Sequence, residues 1–230
     1  MNRSSDLPPE RLAWLAWLPV AATALFYVLP PDLQTYRAFQ FLPQLAAYTA
    51  LAAWSTCNTS LTSRLGLQPV RFGRGLRWGL VTGLGLGAVN VAVILWLVPA
   101  LGRDITFLRD TPHARIPAAV MLPWFIAAIA VFVEVNFRGF LLGRFLVLAE
   151  RMAPALPPPL ASGLAIAATA LAFSFDPFLV VTFRHLHWIA VWDGIVWGVL
   201  WLRLRNLYAP IVAHAVEVMV VYSIVRAVLA

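Results

Sequence analysis

Seven runs of mostly apolar residues, at about 12–29, 38–57, 78–99, 118–147, 159–176, 187–202 and 209–229, are joined by short links and dominate the chain. A helix needs roughly 20 such residues to cross about 30 Å of hydrocarbon, so these runs predict spanning helices. They also lack the polar face that a soluble amphipathic helix turns to water. Composition excludes the soluble alternative. Of 230 residues, 61% are hydrophobic and 12% charged, with mean hydropathy +0.80, whereas soluble domains carry about 25% charged residues. The expectation is an all-α, polytopic transmembrane bundle of about seven to eight spans, forming a single integral membrane domain over residues 1–230. The fourth run is too long for one straight span, which predicts a tilt, a break or an extension into water. The sixth is short.

All 17 basic residues are arginine. Arg64, Arg71, Arg74 and Arg77 share one link with no acid, and the positive-inside bias assigns that link to the cytoplasm. Arg3, Arg11, Arg144, Arg151, Arg203 and Arg205 then fall on the same side, so the N-terminus is expected to be cytoplasmic. The lack of lysine, with the richness in Ala and Leu, points to a bacterial protein, hence to the bacterial inner membrane. The formal charge of +7 is a topology signal, and no nucleic-acid partner is expected. The first run is expected to be retained, because Pro30-Pro31-Asp32 follows it in place of a small-residue cleavage site. Trp14, Trp17, Trp54, Trp78, Trp96, Trp188 and Trp201 fall near run boundaries, where the indole favours the headgroup layer.

Gly79, Gly83 and Gly87, together with Gly139/Gly143 and Gly194/Gly198, recur at four-residue intervals that let helix backbones approach closely in lipid. The single cysteine, Cys57, excludes an intrachain disulfide and a thiolate metal site, and is expected to be a buried, inert thiol. No cofactor is predicted, and metal dependence is left open.

Ionisable side chains within the runs are costly in hydrocarbon and mark candidate sites: Glu134, Arg138, Asp176, His185, His187, Asp193, His214 and Glu217. Glu134 and Arg138, four apart, share one helix face, as do His214 and Glu217, three apart. Each pair is explained either by mutual satisfaction or by chemistry. His185 and His187, two apart, chelate one metal only if their segment is not helical, and otherwise read as an interfacial pair beside Arg184 and Trp188.

The segment Val133-Glu134-Val135-Asn136-Phe137-Arg138-Gly139 resembles the Glu-Glu-x-x-Phe-Arg-Gly signature of the CAAX protease and bacteriocin-processing (CPBP) family of intramembrane proteases. Leu207-Tyr208-Ala209-Pro210-Ile211-Val212-Ala213-His214-Ala215 is similar to the family's last motif, which ends in His-x-x-x-Asn. Arg64-Leu65-Gly66-Leu67 and Gly194-Ile195-Val196-Trp197-Gly198 fit in order and position, and the resemblance covers about 60–220.

The resemblance implies peptide hydrolysis within the membrane. In the family, a first-motif glutamate and a histidine on the next helix activate water, the last-motif His and Asn hold the oxyanion, and the Arg orients the second glutamate. Three positions depart from the pattern: Val133 replaces the first Glu, Pro177 stands at the middle-motif histidine, and Val218 replaces the terminal Asn. Two functions from different classes are therefore expected. One is a glutamic-type endopeptidase for a hydrophobic or lipidated peptide substrate, with Glu134 as base, Arg138 orienting it, His185 or His187 standing in for the missing histidine, His214 at the oxyanion and Glu217 orienting His214. The other is a non-catalytic relative that binds a hydrophobic peptide, a membrane lipid or a membrane partner in the same cavity.

Overall fold

In the computed structural model, residues 8–229 are described, and Arg3 of the expected cytoplasmic terminus lies outside them. Every regular element among the described residues is helical: α1 (Trp17–Val28), α2 (Leu42–Thr56), α3 (Phe72–Ala92), α4 (Ala118–Met152), α5 (Pro158–Ser174), α6 (Pro177–Phe183), α7 (Ile189–Leu204) and α8 (Tyr208–Leu229).

Three helical runs are long and apolar enough to cross a membrane: Leu61–Ala100, which contains α3, then α4, then α8. The bent pair Pro158–Ser174 and Pro177–Leu186, with 55° between its halves, makes a fourth if it counts as one span. This corrects the expected seven to eight. The remaining runs lose length to backbone geometry, leaving α1, α2 and α7 with 12, 15 and 16 residues. Leu12 at φ 56° and Arg205 at φ 49° stop α-helical geometry at the start of the first run and the end of the sixth. Pro43 near the start of α2 has no N–H to continue a helix from Arg37–Gln40, which remains a separate turn.

Links meet at two ends. At one end the Arg11 N–H donates to Asn58 (2.9 Å), Leu207 N–H donates to the Gly66 carbonyl (2.9 Å), and Arg71 donates to the Arg205 carbonyl (2.6 Å). At the other, the Tyr27 hydroxyl donates to the Phe175 carbonyl (2.8 Å) and Arg226 to the Ala114 carbonyl (3.2 Å). The first end gathers Arg64, Arg144 and Arg151 around buried Glu10. Arg144 Nε lies 2.5 Å from Oε1, Arg64 Nη1 lies 3.2 Å from Oε2, Trp54 Nε1 donates to Oε1 at 3.0 Å, and Arg151 donates to the Glu10 carbonyl at 2.6 Å. Trp54 is buried by this cluster and Trp201 by packing in which its Nε1 donates to the Leu65 carbonyl (3.3 Å), contrary to their expected headgroup position, while Trp14, Trp17, Trp78 and Trp96 are exposed. Cys57 corrects another expectation: it caps the C-terminal end of α2 and is exposed.

α3 and α8 form the most extensive helix pair. A side chain at Gly79 would place its Cβ 2.5 Å from Val212 Cβ, one at Gly83 2.6 Å from the Ala213 carbonyl oxygen, and one at Gly87 2.8 Å from Val220 Cβ. The stripe extends one turn further than its expected start, to Gly75 against Tyr208. The long fourth run is indeed irregular. Leu122 leaves helical geometry, and Val135–Leu142 is a π-helix. Local i→i+5 geometry of this kind is rare and frequently occurs at functional sites.

Candidate functional site

Glu134 closes the α-helical part of α4, and Arg138 follows within the π-helical segment; both side chains are wholly buried. Arg138 Nη1 donates to Glu134 Oε1 at 3.0 Å. His214, on the second turn of α8, brings Nδ1 to 2.8 Å from that same oxygen. A carboxylate is an acceptor, so this pairing leaves His214 Nε2 as the nitrogen open to a proton. The imidazole stacks on Trp197 of α7, with ring centroids 4.4 Å apart and planes within 14°. The Arg138 guanidinium lies 4.9 Å from the Phe173 ring of α5 and 5.0 Å from Trp197, so its charge is met by aromatic faces as well as by Glu134. Gly194 makes room for it, since a Cβ there would lie 2.9 Å from Ala170 and 3.2 Å from Arg138 Nη2.

Four helices thus converge on an ion pair plus one imidazole, in surroundings where stranding either charge would cost several kcal/mol, on the order of 3–5. The centre is nonetheless incompletely bonded. Glu134 Oε2, Arg138 Nε and Nη2 and Trp197 Nε1 are buried with no hydrogen-bond partner among the described residues. Clustered orphan donors and acceptors call for water or a ligand's polar atoms, because each unmet buried group costs about 1–3 kcal/mol.

A second polar cluster lies alongside. Asn90 of α3 donates through Nδ2 to Asp193 of α7 (3.1 and 3.2 Å) and to Glu217 of α8 (2.8 Å), while its Oδ1 accepts from Trp192 Nε1 at 2.9 Å. Glu217 was expected to orient His214. It is bound to Asn90 instead, and the acid that holds His214 is Glu134. Arg138 is within electrostatic reach of both Glu134 and Asp193, so it links the two clusters.

The other candidate histidines lie elsewhere. His187 Nδ1 is 3.0 Å from the Ser174 carbonyl, and its ring meets Phe175 edge-on. His185 packs edge-on against Phe107 at 5.3 Å with its Nε2 unpartnered. Both follow the break at Arg184, whose φ of 49° separates α6 from the 3-10 turn Arg184–Leu186. Neither is a described partner of Glu134. At the three divergent positions, Val133 and Val218 pack into apolar clusters, and Pro177 starts α6 beneath Asp176, which caps that helix by accepting from the Leu179 N–H at 3.2 Å.

No protein-family model, curated protein or solved structure matches the chain. The chemistry is carried by the side-chain geometry alone. Among the described residues, no group of three or more His, Cys, Asp or Glu side chains is placed to hold a metal ion.

Sequence reasoning missed Asn90, Trp197 and Asn136. A search for ionisable side chains passes over amides and indoles, although a lone carboxamide within the apolar α3 run was a visible signal: it has to be hydrogen-bonded there.

Proposed function

We propose that the chain is an intramembrane hydrolase of peptide bonds in hydrophobic or lipidated substrates, with Glu134 and His214 as its proton-handling pair. The observation that carries this is the 2.8 Å contact between Glu134 Oε1 and His214 Nδ1, with Arg138 fixing the same oxygen. A carboxylate on one imidazole nitrogen sets the tautomer and supports the imidazolium that forms when the other takes a proton, the logic of carboxylate–histidine pairs in hydrolases. His214 also keeps the little exposure this centre has, its side chain 8% accessible against none for Glu134.

In the proposed step, His214 Nε2 takes a proton from water as the water oxygen bonds to the scissile carbonyl carbon. The carbonyl electron pair moves to oxygen, where the unpartnered N–H groups of Arg138 and Trp197 supply donors. The tetrahedral intermediate collapses, the C–N bond breaks, and His214 returns its proton to the leaving amine. The role assigned to His185 or His187 at the sequence level passes to His214.

The charge pattern adds topology. Arg64, Arg71, Arg144, Arg151 and Arg205 meet at one end, and we place that end in the cytoplasm of a bacterial inner membrane. Single engineered cysteines between Arg64 and Arg77, labelled from each side, test the orientation.

A second reading, a non-catalytic relative binding a hydrophobic ligand, is favoured by Val133, Pro177 and Val218, each built into apolar packing or a helix start. Purified protein in detergent, incubated with a library of hydrophobic and lipidated peptides, separates the two. Hydrolysis that falls by about 10²–10⁴-fold in His214→Ala and in Glu134→Ala supports the peptidase. Substrate capture without cleavage, unchanged by these substitutions, supports the binder.

A further inference from the structure

Between α1, α2, α4 and α5, Pro19, Val20, Pro43, Phe137, Leu141 and Ala172 wall a small cavity that Thr23, Gln44, Asn136 and Asp176 also line, the Thr23 hydroxyl being spent on the Pro19 carbonyl. Its acceptors are unusual. Asp176 is 7% exposed and has no cation among its described hydrogen-bond partners, which are the Leu179 N–H and the Gln44 side-chain amide. Gln44 Nε2 donates to Asp176 Oδ2 at 2.5 Å, and only the nitrogen of an amide can face a carboxylate, so the orientation of Gln44 is fixed and its Oε1 faces away. That oxygen is buried without a partner. Asn136 is 4% exposed, and its Oδ1 is likewise buried and unpartnered. Two orphan carbonyl oxygens and an acid with no cation partner, among largely apolar walls, make a donor-seeking site.

The geometry points to a binding site for a primary ammonium group, held by the Asp176 carboxylate, Gln44 Oε1 and Asn136 Oδ1. An ammonium carries three N–H donors and no acceptor, which matches three acceptors and would neutralise the buried acid. The open space takes a group about the size of one water molecule, which suits an –NH3+ head and excludes a guanidinium or a quaternary amine. An ammonium in this setting comes from an aminophospholipid or from the N-terminus of a hydrophobic peptide. The site stands whether or not the chain cleaves peptides.

The test is native mass spectrometry of the full chain released from detergent, with two matched ligand pairs. One pair is phosphatidylethanolamine against phosphatidylcholine of the same acyl chains. The other is a lysine-free hydrophobic peptide with a free against an acetylated N-terminus. Retention of the free-amine member at least about tenfold above its partner, in either pair, is the expected result, the size of one charge-assisted hydrogen bond. A preference in the lipid pair identifies a lipid site, and one in the peptide pair a substrate site. Asp176→Asn keeps a side chain that caps α6 equally well, and Asn136→Leu keeps the volume; each is expected to erase the preference while the protein remains folded. Equal retention within both pairs, or a preference that survives Asp176→Asn, overturns the proposal and leaves the space to water only.

Discussion

Two buried carboxylates organise this molecule, and they are satisfied in opposite ways. Glu10, at the arginine-rich end, uses both oxygens: Arg144 and Trp54 take one, and Arg64 takes the other. Glu134, in the interior, gathers Arg138 and His214 on a single oxygen and leaves the second without a partner. A carboxylate with both oxygens engaged acts as a fastener, here pinning the segment before α1 to α2 and α4. One held firmly on one side and left open on the other keeps a reactive group in place while reserving an acceptor for something else. The contrast lies in satisfaction rather than in burial, since both are buried.

The largest effect is expected at the inner centre. Glu134→Leu strands Arg138 in an apolar interior and should cost about 3–5 kcal/mol in unfolding measured in detergent. Adding Arg138→Met should recover most of that stability while leaving peptide turnover absent, whereas the pair Glu10→Gln with Arg144→Met should leave turnover intact. If Glu134→Leu unfolds like wild type, the inner pair is not the buried charge centre described here.

Next in size is the packing that carries His214 to that centre. Gly83→Val would set a Cβ 2.6 Å from the Ala213 carbonyl oxygen, an overpacking worth about 1–3 kcal/mol that should also abolish turnover. The control is Gly85→Ala, which meets nothing within 4 Å and should leave both stability and turnover unchanged.

Glu10→Gln should cost less, about 1–2 kcal/mol, because the amide keeps an oxygen acceptor for the arginines. Its signature is faster proteolysis of the segment before α1 with turnover retained. Loss of turnover would make the two carboxylates functionally alike and would break the comparison.

The smallest changes are expected for His185→Gln and His187→Gln, each leaving turnover within about twofold and stability within about 0.5 kcal/mol. A large loss from either would restore a histidine of the α6–α7 break to the reacting centre.

The all-helical class, the glycine stripe of α3 and the pairing of Glu134 with Arg138 were legible in the sequence because each rests on local spacing. The resemblance put Glu134 and His214 in one site, but the oxygen that His214 and Arg138 share could not be read from spacing. Other features were hidden for identifiable reasons. Hydropathy measures apolarity along the chain but is blind to backbone breaks, so α1, α2 and α7 looked long enough to span. Glu217 falls three residues after His214, and helix spacing alone assigned the two to each other. Packing turns Glu217 toward Asn90 on α3, a residue 127 positions away. Glu10 stood out in no local pattern because its side-chain partners, Trp54, Arg64 and Arg144, come from distant segments.

The seam between α3 and α8, where glycines receive the Val212, Val216 and Val220 side chains, has a directional consequence. A glycine face packed against β-branched side chains has few rotamers to exchange and little room to slide, so this flank behaves as a rigid rail that fixes His214, Glu217 and Asn90 against each other. The opposite flank, where α1 and α2 lie against α4 and α5, meets through larger side chains and a cavity, and such contacts can part and re-form. Any opening of the bundle is therefore expected between α1, α2, α4 and α5, and parting the glycine seam is the costlier motion.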